Sequence, residues 1–150
     1  MTKFMIKYVL GIIILIMILS CSQPSYFTML KRDKYYFKTL SESCESLISD
    51  IKKSPDKWEQ KKDKDSLVWI VDNKSKAIPN ILKELNANRI LVMKKNKGSN
   101  YRVWIRVGNL YGFEGGYSIV WEEAENNLWE LLIIGGGRRS IVYAKKYDKI

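Results

Sequence analysis

The sequence predicts an α+β fold: a long N-terminal helix and a short second helix packed on one face of a mainly antiparallel sheet of about five or six strands. Three observations predict it. One stretch carries an apolar stripe at helical spacing. A second, shorter one follows a strand-like run. The rest alternates apolar and polar residues between turn signals, with no further helical segment, which is the order of an α+β domain rather than of alternating β–α units. With 150 residues, 46% apolar and 28% charged, the composition is globular and long enough for one core.

Residues 24–53 read as one long helix. Leu30, Phe37, Leu40, Cys44, Leu47 and Ile51 recur at steps of three and four, apart from a gap at Asp33, and form one stripe. Cys44 lies inside that stripe, so it reads as a small core residue rather than a nucleophile. Residues 54–66 (SPDKWEQKKDKDS) are the most polar stretch and read as a surface connector. Leu67–Val71 has strand composition. Residues 77–86 then suit a short helix with Pro79 in its first turn and Ile78, Ile81, Leu82 and Leu85 on one face.

The remainder reads as a meander. Arg89–Lys95 is a strand, 97–100 its turn, and Tyr101–Val107 the next strand. That second strand alternates cleanly, with Tyr101, Val103, Ile105 and Val107 on the face that should meet the helices. Arg102, Trp104 and Arg106 fall on the other face, toward solvent or a ligand. A glycine-rich loop follows at 108–116. Then come a strand at Tyr117–Trp121, an acidic turn at 122–127 and a strand at Leu128–Ile134 that reads as buried on both faces. Gly135–Gly137 makes a tight turn into a last strand, Arg139–Lys145.

Composition excludes several chemistries. There is no histidine, so Ser-His-Asp and Cys-His catalysis and histidine-ligated zinc are out. Two cysteines make neither an all-cysteine zinc site nor a disulfide framework. No cofactor motif and no metal-ligand spacing is present. The 26 Lys and Arg against 16 Asp and Glu give a net charge of +10, which favours anionic partners.

The N-terminus reads as an address. Lys3 and Lys7 precede an uninterrupted apolar run from Tyr8 to Leu19, and Ser20-Cys21-Ser22 follows. A positive start, a short apolar stretch and a small residue at a cleavage point define a secretory signal. The run falls short of the ~20 apolar residues that a spanning helix needs. Ile18-Leu19-Ser20-Cys21 resembles the lipobox of bacterial lipoproteins. That resemblance implies cleavage between Ser20 and Cys21, so that 1–20 is a signal peptide and 21–150 a single small domain. It also implies lipidation of the Cys21 thiol, with several acyl chains each adding about 0.8 kcal/mol per buried methylene. Ser22 in place of an aspartate implies outer-membrane sorting, on the periplasmic or surface side, rather than inner-membrane retention. An uncleaved N-terminal anchor is the competing reading.

Candidate sites are few. Arg102, Trp104 and Arg106 interleave basic groups with an aromatic ring, as single-strand nucleic-acid platforms do. An envelope location argues against nucleic acid and for an anionic glycan or lipid, or an acidic envelope protein. The bland reading is that Trp104 and the arginine stems merely cover the sheet. Tyr111, Phe113 and Tyr117 could extend the surface. Glu122, Glu123 and Glu125 invite a general-acid role, but a polar turn would hydrate them. Gly135–Gly137 with Arg138 and Arg139 lacks the helix that a phosphate loop opens. The expectation is therefore a lipid-anchored envelope protein that binds or supports rather than catalyses. The alternatives are an immunity or inhibitor protein against an acidic toxin or envelope hydrolase, and a carboxylate-dependent cell-wall hydrolase.

Overall fold

The computed structural model describes residues 3–20, 25–95, 100–108 and 116–147. Among these residues, four helices and one seven-stranded antiparallel sheet make the fold mixed α+β. The sheet is a meander, β1 to β7 in chain order, each strand pairing antiparallel with the next. Its strands are β1 (Glu59–Asp63), β2 (Ser66–Val71), β3 (Arg89–Lys95), β4 (Tyr101–Val107), β5 (Tyr117–Glu125), β6 (Leu128–Gly135) and β7 (Arg138–Lys146). The helices are α1 (Lys3–Ser20), α2 (Tyr26–Leu30), α3 (Lys34–Lys53) and α4 (Asn80–Glu84). Cys21, the turn at 97–99, and Tyr111 and Phe113 lie outside the described residues.

The single long helix expected over 24–53 is two helices. Ser25 accepts from the Thr28 amide and caps α2; Asp33, with extended backbone, accepts from the Tyr36 amide at 2.8 Å and caps α3. A carboxylate that satisfies an orphan amide here stabilises a fresh helix start more than a continued turn. The gap in the apolar stripe at Asp33 is that break. Within α3, Phe37, Leu40, Cys44, Leu47 and Ile51 are all buried, joined by Ile48. α4 is shorter than expected, and Pro79 sits at its N-cap with Leu82 buried.

The connector expected over 54–66 holds a seventh strand. A 3-10 turn at Pro55–Lys57 and the buried Trp58 lead into β1, which pairs with β2 through a turn at Lys64–Asp65. Every β1 residue is exposed, so no apolar alternation marks it. A charged outer strand is also what discourages edge-to-edge pairing.

The acidic turn expected at 122–127 is displaced too. β5 runs on to Glu125 through an irregularity at Glu123–Glu125, and the turn is Asn126–Asn127. Both asparagines have positive φ, 48° and 62°, which suits a two-residue hairpin turn better than glutamates would. Gly136 and Gly137 do the same between β6 and β7, at 57° and 73°. The double-sided burial expected for Leu128–Ile134 holds only for Leu131, Leu132 and Ile133.

One face of the sheet builds the core. Trp69, Val71, Ile90, Val92, Val103, Ile105, Ile119, Trp121, Leu131 and Ile133 share one cluster with Met29, Phe37, Leu40, Cys44, Leu47, Ile51 and Leu82 from the helices. α3 contacts β7 and β4, and α2 contacts β6. The four alternate residues of β4 are buried, as the alternation predicts. α1 stands apart from that cluster, with Met5, Ile6, Tyr8, Val9, Leu10 and Ile12 to Ile16 exposed. Among the described residues no helix is long and apolar enough to cross a membrane.

Candidate functional site

The candidate site lies on the opposite face of the sheet, and the register defines it. Ile70, Leu91, Trp104, Val120, Leu132 and Ile141 are cross-strand partners in sequence, one from each of β2 to β7. They form an apolar row across six strands, and none of them belongs to the core cluster. A solvated sheet face would carry polar residues at such positions. Val120 and Leu132 are buried within the row, whereas Trp104 is 40% exposed and Ile141 59%. Ile134, one row over, is 39% exposed.

Arg102, Trp104 and Arg106 do share this face. Their surroundings differ, however. Arg102 faces Glu122 directly across β4 and β5 and is ion-paired with it. Glu122 also accepts from Arg139 at 3.1 Å, and its side chain is only 15% exposed. To reach Glu122, Arg139 must cross the row that holds Leu132 and Val120, which accounts for part of their burial. One carboxylate therefore serves two guanidinium groups on the far side of Trp104.

Arg106 is different. Its cross-strand partner on β3 is Arg89, and its partner on β5 is Ser118. Both arginines are exposed, and neither has an ion pair among the described residues. Arg89, Arg106, Trp104, Leu91 and Asn88 line an open hollow of about 430 Å³. The end of the hollow is fixed by backbone: the Asn88 amide donates to the Arg106 carbonyl at 2.8 Å. Just past Arg106 the backbone is tightly drawn: a Cβ on Gly108 would lie 2.6 Å from the Asn88 Nδ2, and one on Gly116 2.6 Å from both the Val107 carbonyl oxygen and the Gly108 Cα. Only glycine permits that approach.

Sequence reasoning missed Arg89, Leu91, Leu132, Ile134 and Ile141 as members of this face. Each sits in a strand whose sequence was read correctly or nearly so, but their alignment with Trp104 depends on pairing register, which no single strand encodes.

The remaining candidates disperse. Glu122 is engaged as described. Glu123 accepts from the Asn127 amide at 3.2 Å and Glu125 is exposed, so the three glutamates do not converge. Gly136 and Gly137 form the hairpin turn expected of them, with Arg138 exposed. Cys44 is fully buried, and burial, followed by the neighbouring Glu45 charge, pushes its thiol pKa far up, away from a nucleophile. Tyr117, on the core face, is likewise raised by burial first and then by Tyr36. Among the described residues no three His, Cys, Asp or Glu side chains are placed to hold a metal ion.

No known protein family, curated protein or solved structure matches this chain.

Proposed function

We propose that this protein is a cell-envelope lipoprotein, cleaved before Cys21 and held at a membrane by acyl chains on that residue. Its domain acts by binding rather than by catalysis, through the sheet face that carries Arg102, Trp104 and Arg106. The lipobox-like Ile18-Leu19-Ser20-Cys21 and the apolar α1, exposed from Met5 to Ile16 and outside the core cluster, support the anchor. The outer membrane is the favoured location, on the same sequence grounds.

One observation carries the binding reading: Trp104 stands 40% exposed in an apolar row on the sheet face opposite the core, with arginines on both sides. Trp and Arg are the side chains that most often dominate binding energetics. The ligand is anionic, a lipid or glycan carrying acidic groups.

A photo-crosslinking side chain in place of Trp104 should give adducts in intact envelopes, and the same group in place of Ser49, exposed on α3, should not. Adding Arg106→Glu should suppress them. Arg102 is left intact in this test, because a glutamate there would face Glu122 and disturb the sheet itself. Equal adducts from both positions would defeat the reading.

The second reading is an immunity or inhibitor protein that captures an acidic protein. The width of the apolar row, which places Ile134 and Ile141 beyond Trp104, favours it. It predicts a 1:1 complex whose association slows as salt is raised.

A further inference from the structure

We propose that Arg89 and Arg106 together form a phosphate site, with the ring or chain that bears the phosphate laid against Trp104 and Leu91. This rests on the reading of that face as an anionic-ligand surface and narrows it to one chemical group.

Like charges placed directly opposite across two strands repel, yet Arg89 and Arg106 are direct partners on β3 and β4. Arg102, four residues from Arg106 on the same strand, shows the ordinary solution, a glutamate partner. Nothing comparable neutralises Arg89 or Arg106 among the described residues. Two guanidinium forks on one face can converge on a single tetrahedral oxyanion with several parallel N–H donors. Their combined charge of two matches a phosphate monoester, which carries roughly −1.5 to −2 at neutral pH; a carboxylate would leave one guanidinium uncompensated.

The hollow fits the rest of such a ligand. Its volume of about 430 Å³ is within the range of small-molecule sites. One wall is the exposed Trp104 ring with Leu91 beside it, a surface for a sugar ring or a short alkyl segment. Among the described residues no carboxylate lines it. The shared chemistry, a phosphate on a small carrier, is found on phosphorylated sugars and on lipid headgroups alike.

The test uses the full chain in nonionic detergent micelles and isothermal titration calorimetry. Glucose 6-phosphate probes the soluble source and dihexanoyl phosphatidic acid the lipid source. At least one of them should bind, more weakly as salt rises. Arg89→Ala or Arg106→Ala alone should weaken binding at least about tenfold. Lys62→Ala, at an exposed position on β1 outside the hollow, should change it less than about threefold. Arg89→Lys should lose several-fold, because a point charge replaces a fork. Because Arg89→Ala and Arg106→Ala relieve a repulsion, their melting temperatures should not fall, which separates lost binding from lost folding. Binding of the sugar phosphate alone assigns a soluble or glycan-borne phosphate, and binding of the phosphatidic acid alone assigns a headgroup. Binding of neither, or binding indifferent to Arg89 and Arg106, overturns the proposal. Glucuronic acid separates the two levels: if it binds where both phosphates fail, the phosphate site is wrong and the anionic-ligand surface stands.

Discussion

Arg102 and Glu122 face each other directly across β4 and β5, and Glu122 holds Arg139 from β7 at the same time. This three-residue cluster ties three of the last four strands together on the face that lacks helical core partners. It also divides the basic groups of that face into those already neutralised and those, Arg89 and Arg106, that are not.

Removing the shared carboxylate should therefore cost more than removing either guanidinium. Glu122→Gln takes from both arginines the carboxylate they share, and a loss of about 1–2 kcal/mol is expected. Arg139→Ala, at an exposed position, should cost less than about 0.5 kcal/mol. Urea denaturation measures both, and equal losses would show that the cluster does not act as a unit.

The two faces should respond differently to loss of a tryptophan. Trp121 is fully buried in the core cluster, so Trp121→Ala is expected to cost about 3–5 kcal/mol. Trp104, 40% exposed, should cost well under half of that when changed to Ala while weakening the phosphate binding described above. If Trp104→Ala destabilises as much as Trp121→Ala, the ring is there to pack and not to bind.

The break between α2 and α3 depends on one carboxylate. Asp33→Ala removes the acceptor for the Tyr36 amide and should cost about 1 kcal/mol of stability, whereas Asp33→Asn or Asp33→Ser should cost little. Thermal melts followed by far-UV circular dichroism would read this directly.

Stability should fall on the alkaline side. Burial raises Cys44 above the ordinary thiol value of 9.0 and Tyr117 above the ordinary phenol value of 10.0. The unfolded chain therefore releases these protons first, so the contribution is full below about pH 9 and is lost as pH climbs toward the folded values. Cys44→Ala should flatten the first part of that fall in denaturation midpoints measured from pH 7 to 10. Glu45 behaves in the same sense at lower pH. Burial raises it above 4.5, while Lys145 at 3.7 Å opposes the shift. Its contribution is full below pH 4.5 and is lost as pH rises through the folded value, so Glu45→Gln should gain relative stability between pH 4 and 7.

Much of this fold is legible in the sequence where burial is one-sided. β3 and β4 fall where Arg89–Lys95 and Tyr101–Val107 place them, because each alternates or runs apolar between polar turns. Arg102, Trp104 and Arg106 face away from the core for the same reason. β1 was hidden because Glu59–Asp63 is charged throughout; only pairing with the apolar β2 makes it a strand. The extension of β5 through Glu122 was hidden because a glutamate that neutralises Arg102 reads, in isolation, like a hydrated turn. The hollow itself needed register, since Arg89 and Arg106 are seventeen positions apart and meet only through the β3–β4 pairing.

The most direct test of the account is the mass of the protein's N-terminus when purified from its own cells. A chain that begins at residue 21 and carries two or three acyl chains on that cysteine is the predicted result. A chain that retains Met1 and has an unmodified thiol at Cys21 would contradict it.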